Sequence, residues 1–450
     1  MKYPIGIPDF ESIMSTIKLY IKQAWNLMKQ NKLFTGIYVA GTALAIATTM
    51  IMAIVHYVKI APVYPETNRY RTLVMEQARE IIGNTGNMSP WSLKAVKEWF
   101  YPLKNAEVVS AEIKDYGNTK DYIQPKDGSN DFQIYTKYTD PNFFQAYDFR
   151  FIEGKPFTEA DLQGEVRSVV ITDAMAERLF GSTKDIVGKT FTMNYLDFQV
   201  AGVVEAPSFL CKRSFAQIYL PYTLHGECYT EWGNSKLIGA FEITMVVKDK
   251  EQEAALREEI KELYRKFNAS QDETKLQQLN QPRSYALILF QTWLSQSDFD
   301  WEKVFMKFGL TLLVLLLVPA LNLSGMIAGR METRISEMGV RKSFGANRSG
   351  LLKQVMWENL LLTLAGGFMG LLIAWGALYA FRDWIFALFD DLPILAIEGV
   401  STTVSGEMFF APVIFLAALL LCLALNILSA LVPAWLSLRH PIVLSLNEKR

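Results

Sequence analysis

Apolar and polar positions divide the chain into two kinds of territory. Four windows, each about 20 residues or longer and mostly apolar, are dense enough to span a bilayer: 33–58, 305–328, 354–381 and 408–435. Residues 59–304, between the first and second windows, instead show short mixed patterns. Helical spacing is suggested at 66–82, 90–101, 173–179 and 250–268, and alternating or β-branched runs at 106–112, 133–138, 168–171, 190–193, 199–204, 217–220 and 240–247. Asp127-Gly128, Asn142, Gly154, Gly181, Gly188 and Pro207 punctuate them. The predicted fold is a membrane protein with four transmembrane α-helices and a large α+β extracytoplasmic domain of two lobes inserted between the first and second. Before the first span, residues 1–32 carry an amphipathic helix. Ile13, Ile17, Tyr20, Ile21, Ala24, Leu27 and Met28 share a face from which Lys18, Lys22 and Lys29 turn away. Such a helix lies on the inner membrane face or packs on a cytoplasmic partner.

Charge orients the pattern. Lys18, Lys22, Lys29 and Lys32 precede the first span, the loop 329–353 is basic, and Arg439, Lys449 and Arg450 lie in the tail 436–450. The loop 382–407 instead holds Asp383, Asp390, Asp391, Glu398 and Glu407. The lysine and arginine bias predicts that both termini and the basic loop are cytoplasmic, and that 59–304 and 382–407 lie outside. The first span starts too far into the chain for a simple cleaved signal and is read as a retained anchor. Its Gly36, Ala40, Gly41, Ala45 and Ala47 are small enough for close helix approach, as are Gly366, Gly367 and Gly370 in the third span.

The candidate chemistry is sparse. A net charge of -1 over 450 residues and no basic domain give no sign of nucleic-acid binding. Of three cysteines, Cys422 lies in a span, whereas Cys211 and Cys228 fall on the outer side, where either a disulfide or two separate thiols are compatible with their positions. His56 and His225 are too few for a histidine-based triad or metal site, so no metal is expected. Gly188-Lys189-Thr190 resembles the end of a phosphate-binding loop, but Thr183 occupies the position where that loop requires glycine; the segment reads as a turn feeding a strand. The spans lack a midplane charge; Glu358 lies near an inner end, and Asn322 and Asn426 are modest polar groups. That pattern argues against a proton-coupled carrier or channel.

The basic loop is the most specific feature. Arg330, Arg334, Glu337 and Arg341 recur at helical spacing, with Ile335 and Met338 on another face and Gly339, Gly345 and Gly350 interrupting. The Glu337/Arg341 pair contributes only about 0.3–0.5 kcal/mol to a helix, so helix stability does not account for the charges. A short charged helix held by membrane at both ends suits docking into a groove of a soluble partner; topology-setting charge on an idle loop is the alternative.

The run EMGVRKSFGANRSGLLKQVMWENLLLTLAGGFMGLLIAW, from Glu337 to Trp375, closely resembles the signature of MacB/FtsX-type ABC transporter permeases, with Glu337, Gly339, Arg341, Lys342, Gly345 and Ala346 on the pattern. The pieces DPNFFQAYDFRFIEGKPF, VVITDAMAERLFG, DIVGKTF and FQVAGVVEAP resemble the family's outer domain, and PAWLSLRHPIVLSL resembles its closing tail, with the second proline one residue early and fewer basic residues. The resemblance implies a non-catalytic permease subunit that binds no cofactor of its own. Two ABC ATPase subunits, holding ATP and Mg, would dock on a coupling helix comprising Arg330, Arg334, Glu337, Met338, Gly339, Arg341, Lys342, Gly345 and Ala346. A second permease chain, identical or not, would complete the membrane part. Lacking a P-loop, the chain is expected to take its ATPase in trans and to transmit the stroke outward, driving export or efflux. The alternatives within the family are extraction of lipoproteins and regulation of a cell-wall hydrolase; outer partners would then be a periplasmic adaptor, an outer-membrane duct or the hydrolase. Outside the family, a receptor with an outer sensing domain shares the topology but not the motif.

Overall fold

The computed structural model describes residues 32–114, 121–125, 130–290 and 347–389, with scattered positions in 18–29, 302–310, 340–345 and 415–435. The chain forms two compact units: Met1–His56 with Trp301–Asp390 and Phe409–Arg450, and Tyr57–Asp300 with Asp391–Met408.

In the first unit, helix α1 (Lys32–Ile60) carries a long apolar run. Thr35–Ile60 and Ser349–Arg382 are both long and apolar enough to cross a membrane, each with a mean hydropathy of 1.9. The second lies within a helix running from Arg348 to Phe389, longer than the predicted 354–381, with non-helical backbone at Phe381. The spans predicted at 305–328 and 408–435, like the loop 382–407 and the tail 436–450, fall wholly or mostly outside the described residues.

The second unit is built on a 12-stranded mixed sheet among the described residues. Its strands are β1 (Thr72–Met75), β4 (Val108–Ile113), β5 (Asp121–Gln124), β6 (Phe132–Ile134), β7 (Thr136–Thr139), β8 (Phe151–Gly154), β9 (Ser168–Thr172), β10 (Thr190–Met193), β11 (Leu196–Val204), β12 (Ile218–Pro221), β13 (Phe241–Val246) and β15 (Arg283–Ser284). They run in the order β15-β1-β13-β4-β7-β12-β9-β11-β10-β5-β6, with β8 on β11. The β7/β12 and β9/β11 pairs are parallel. A three-stranded sheet joins β2 (Ala78–Ile82) to β3 (Thr85–Ser89) and β14 (Thr274–Gln277).

Helix α2 (Asp173–Phe180) begins at Thr172, whose side chain accepts a hydrogen bond from Met175 N. Helix α3 (Lys250–Ser270) begins at Asp249, which accepts from Gln252 N, and buries Leu256, Ile260 and Tyr264. These three side chains join Trp91, Phe100 and Phe241 in one apolar cluster. A second gathers Ile123, Val169, Met175 and Phe191, and a third packs Phe143, Phe144, Phe149 and Tyr219. Trp91 and Phe100 stack edge to face at 4.8 Å.

Two helices predicted from spacing are corrected. Residues 66–82 form a single 3-10 turn, Arg69–Arg71, followed by β1 and β2. The helix-forming residues Glu76 to Glu80 are overridden because β1 is buried along its whole length and pairs with β13 and β15, while β2 pairs with β3 and β14. The helix expected at 90–101 contracts to Leu93–Ala95 and one π turn, Val96–Phe100. The 181–190 segment is a turn entering β10, as its spacing suggested.

Candidate functional site

Where α1 ends, the sequence places Pro62 and Pro65 and then Glu66 and Arg69. Proline cannot continue the helix, so the last carbonyls need other donors. Arg69 supplies them: its Nη1 donates to Val58 O at 2.7 Å, Lys59 O at 3.1 Å and Ala61 O at 2.9 Å. A guanidinium suits this position because it carries several donors in one plane and its charge opposes the negative end of the helix dipole.

Arg69 Nε also donates to Glu66 Oε2 at 2.7 Å, a buried ion pair with both side chains 1% exposed. Glu66 Oε1 accepts from Ser214 N and Ser214 Oγ, both at 2.9 Å, and Tyr285 Oη donates to Glu66 Oε2. The Arg69 guanidinium lies 4.8 Å over the Tyr285 ring. Burial alone would push the Glu66 carboxyl up; Arg69, Tyr285 and the Ser214 backbone outweigh it and hold the group below the usual carboxylate range.

Tyr285 opens helix α4 (Tyr285–Phe290), the last described element before this part of the unit ends at Asp300. Inbound and outbound chains are therefore tied at one buried carboxylate. A second fastening lies beside it: Arg283 Nη1 donates to Glu76 Oε2 at 2.8 Å, and the Gln281 side chain bonds Glu76 N and Gln77 O, both at 2.6 Å. The loop bearing Ser214 extends the arrangement, because Arg213 Nη2 reaches Glu112 on β4 and Glu242 on β13, both at 3.1 Å. Lys137 and Lys114 complete this set on the same two carboxylates, each at 2.8 Å. Each charged group in the set has an opposite charge within bonding distance, although Arg213 Nε is buried without a hydrogen-bond partner among the described residues.

Of the two readings open for Cys211 and Cys228, the structure has two separate thiols, both buried and free, and not the possible disulfide. Cys211 lies in the clasp, accepting from Arg69 Nη2 at 3.5 Å and donating to Tyr64 O at 3.4 Å, whereas Cys228 packs in the cluster around Trp91. Each thiol has its own buried surroundings. Burial raises the Cys211 thiol above its ordinary value, and burial likewise pushes Cys228 up to about 12.

Another carboxylate is buried with no cation bonded to it among the described residues. Asp140 accepts from Ser110 Oγ at 2.8 Å, Phe143 N at 3.1 Å, Tyr101 Oη at 2.8 Å and Ala111 N at 2.9 Å. Burial pushes its carboxyl from 3.8 up to about 6, against those hydrogen bonds. The folded chain then holds a proton that the unfolded chain releases between these values, so this group adds stability as pH falls from neutrality and withdraws it as pH rises through 6. Native chain is expected to gain roughly 1 kcal/mol from this group between pH 7.5 and 5.5. In Asp140→Asn that increment disappears, as unfolding midpoints at the two pH values will show.

Of the nine residues expected to dock an ATPase, only Gly345 is described; Arg330, Arg334, Glu337, Met338, Gly339, Arg341, Lys342 and Ala346 lie outside the described residues. Gly345 has φ 91°, a left-handed conformation that glycine adopts without strain, just after Phe344 N closes a helical turn on Val340 O. Asn347 then opens α5 (Arg348–Phe389), its side chain accepting from Ser349 N at 3.3 Å. Phe344 is 87% exposed at this corner.

Further along α5, Gly366 and Gly370 face α1. A Cβ on Gly366 would stand 2.7 Å from Thr42 Cβ, and one on Gly370 would stand 2.6 Å from Ala43 O. Tyr38 and Thr363 share a hydrogen bond of 3.3 Å across the same pair of helices. Gly367 faces Leu419 instead, and Gly36 and Gly41 of α1 meet nothing within 4 Å.

The clasp is not legible in the sequence because its partners are remote. Glu66 and Arg69 sit at a visible i,i+3 spacing after the prolines, but that spacing also suits the helix expected there.

Residues 35–263 match the family model of the MacB-like periplasmic core domain, and residues 309–442 that of the FtsX-like permease C-terminal region. The chain is 23% identical over 287 residues to a pyoverdine export ATP-binding/permease protein of Pseudomonas savastanoi pv. phaseolicola, covering 63% of this chain and 41% of that protein. It is 22% identical over 376 residues to a macrolide export ATP-binding/permease protein of Yersinia pestis bv. Antiqua, covering 81% and 53%. The chain thus spans about half the length of these relatives. The periplasmic region of MacB from Actinobacillus actinomycetemcomitans aligns at 15% identity with a TM-score of 0.33, over 47% of this chain and 89% of that one.

Proposed function

Because the chain belongs to the MacB/FtsX family of ABC transporter permeases, we propose that it is a mechanotransmitting permease subunit of an export system, acting from the outer side of the inner membrane. Separate ABC ATPase subunits hold ATP and Mg and close on the loop 329–353. A second permease chain completes the membrane part, and the spans pass the stroke to the outer domain. Both termini are cytoplasmic in this arrangement. Cargo is moved by the outer domain and its adaptor or duct, without crossing the helices.

The observation that carries this reading is the buried clasp of Glu66, Arg69 and Tyr285, which fixes the end of α1 and the outbound segment to the same loop. A pull on either segment is shared by both instead of being lost in a flexible linker. The exported substrates in the relatives' names, pyoverdine and macrolides, favour export over regulation of a hydrolase.

The test is purification of the full chain with the ABC ATPases of its source. One ATPase should co-purify, and Arg341→Glu should reduce its recovery at least tenfold while the unfolding midpoint of the outer domain is unchanged. Undiminished ATPase recovery, with ATP turnover still moving the outer domain, would rule out the docking role.

A further inference from the structure

Ahead of α1, Lys18, Ile21, Lys22, Trp25, Asn26 and Lys29 are helical and exposed. Their steps of three and four place them along one helix face, with Ile21 at its border with the apolar face and exposed. Trp25 is 56% exposed, and Lys29 Nζ lies 5.3 Å from the centre of its ring. Lys32 and Leu33, at the start of α1, are likewise exposed, Leu33 being 81% exposed. From Ser12 to Lys32 the sequence has four lysines and no aspartate or glutamate.

We propose that this stripe binds the headgroups of anionic phospholipids in the leaflet where α1 begins. The inference rests on α1 crossing the membrane, which the family and the apolar length of Thr35–Ile60 support. All four lysines fall within the 15 residues that end where α1 begins, so they stay close to the leaflet in which it starts. Zwitterionic headgroups offer no net attraction to four ammonium groups, whereas an anionic surface attracts each of them. The apolar members decide between a membrane and an acidic protein. Ile21, Trp25 and Leu33 interrupt the charge at helical spacing, and the bilayer boundary offers phosphate and hydrocarbon side by side. Tryptophan is favoured at that boundary, where its ring also steadies the Lys29 ammonium.

The test uses the full chain in an uncharged detergent, with phosphatidylglycerol or phosphatidylcholine added and retained lipid counted by native mass spectrometry. Native chain should retain phosphatidylglycerol in preference to phosphatidylcholine. Glutamine at Lys18, Lys22, Lys29 and Lys32 together should weaken phosphatidylglycerol retention roughly tenfold or more, and arginine at the same positions should preserve it. The unfolding midpoint of the outer domain reports that the variants are folded. Equal retention of both lipids by native chain, or undiminished retention by the glutamine variant, overturns the proposal. So does a glutamine variant that keeps the lipid but no longer recovers an ATPase, which assigns the face to an acidic protein surface. Lost lipid selectivity with ATPase recovery intact leaves the transport reading untouched, so the two stand or fall separately.

Discussion

Arg69→Met should destabilise the outer domain by about 3–5 kcal/mol, because the Glu66 carboxylate then stays buried without its cation. For a domain of this size that corresponds to a fall of roughly 6–20 °C in the unfolding midpoint. Three carbonyls at the end of α1 lose their donor in the same step. Arg69→Lys should recover only part of the loss, since one ammonium cannot bond Glu66 and all three carbonyls in the fixed geometry of the guanidinium. Glu66→Gln combined with Arg69→Met removes both charges, and its cost should be well below the sum of the single changes. Thermal unfolding of the full chain in detergent, followed by tryptophan emission, gives all four values. Strict additivity would mean that the two groups do not act as a pair.

Gly366→Leu with Gly370→Leu should separate α1 from α5. Each added Cβ meets something that does not yield easily: Thr42 Cβ at 2.7 Å and the Ala43 carbonyl oxygen at 2.6 Å. Overpacking typically costs about 1–3 kcal/mol per position, so the pair is expected to cost about 2–6. Gly376→Leu is the matched control, because a Cβ there meets nothing within 4 Å. Unfolding in a rising fraction of sodium dodecyl sulfate should move to lower detergent for the double variant and stay near native for the control. Equal shifts would show that the glycines matter only through helix propensity.

Sequence pattern revealed the parts whose signal is local. Thr35–Ile60 and Ser349–Arg382 have the composition of spans, and α3 shows its apolar stripe and its Asp249 cap directly. Strands such as β10 and β13 are bounded by turn residues and rich in β-branched or aromatic side chains. What stayed hidden depends on distance along the chain. Residues 72–82 carry helix formers; β1 becomes a strand only through β13 and β15, more than 100 residues away, and β2 pairs both with the adjacent β3 and with the remote β14. Tyr285 meets Glu66 across 219 residues, a contact that no spacing rule anticipates. The cysteines stay open in the sequence for a related reason: sharing one side of a membrane does not by itself bring two thiols together, and Cys211 and Cys228 are enclosed by different neighbours.

The clasp also bears on how the chain folds. Closing a loop of 219 residues costs roughly 5 kcal/mol of chain entropy. A single buried hydrogen bond returns only about 1–3 kcal/mol against it. Glu66 and Tyr285 therefore meet after the sheet between them has shortened the path. An outer domain that is incompletely folded, or still emerging from synthesis, has its two attachment segments unlinked. On the proposed transmission role, movement of the membrane helices would then have little purchase on it, and the fastening would double as an assembly checkpoint.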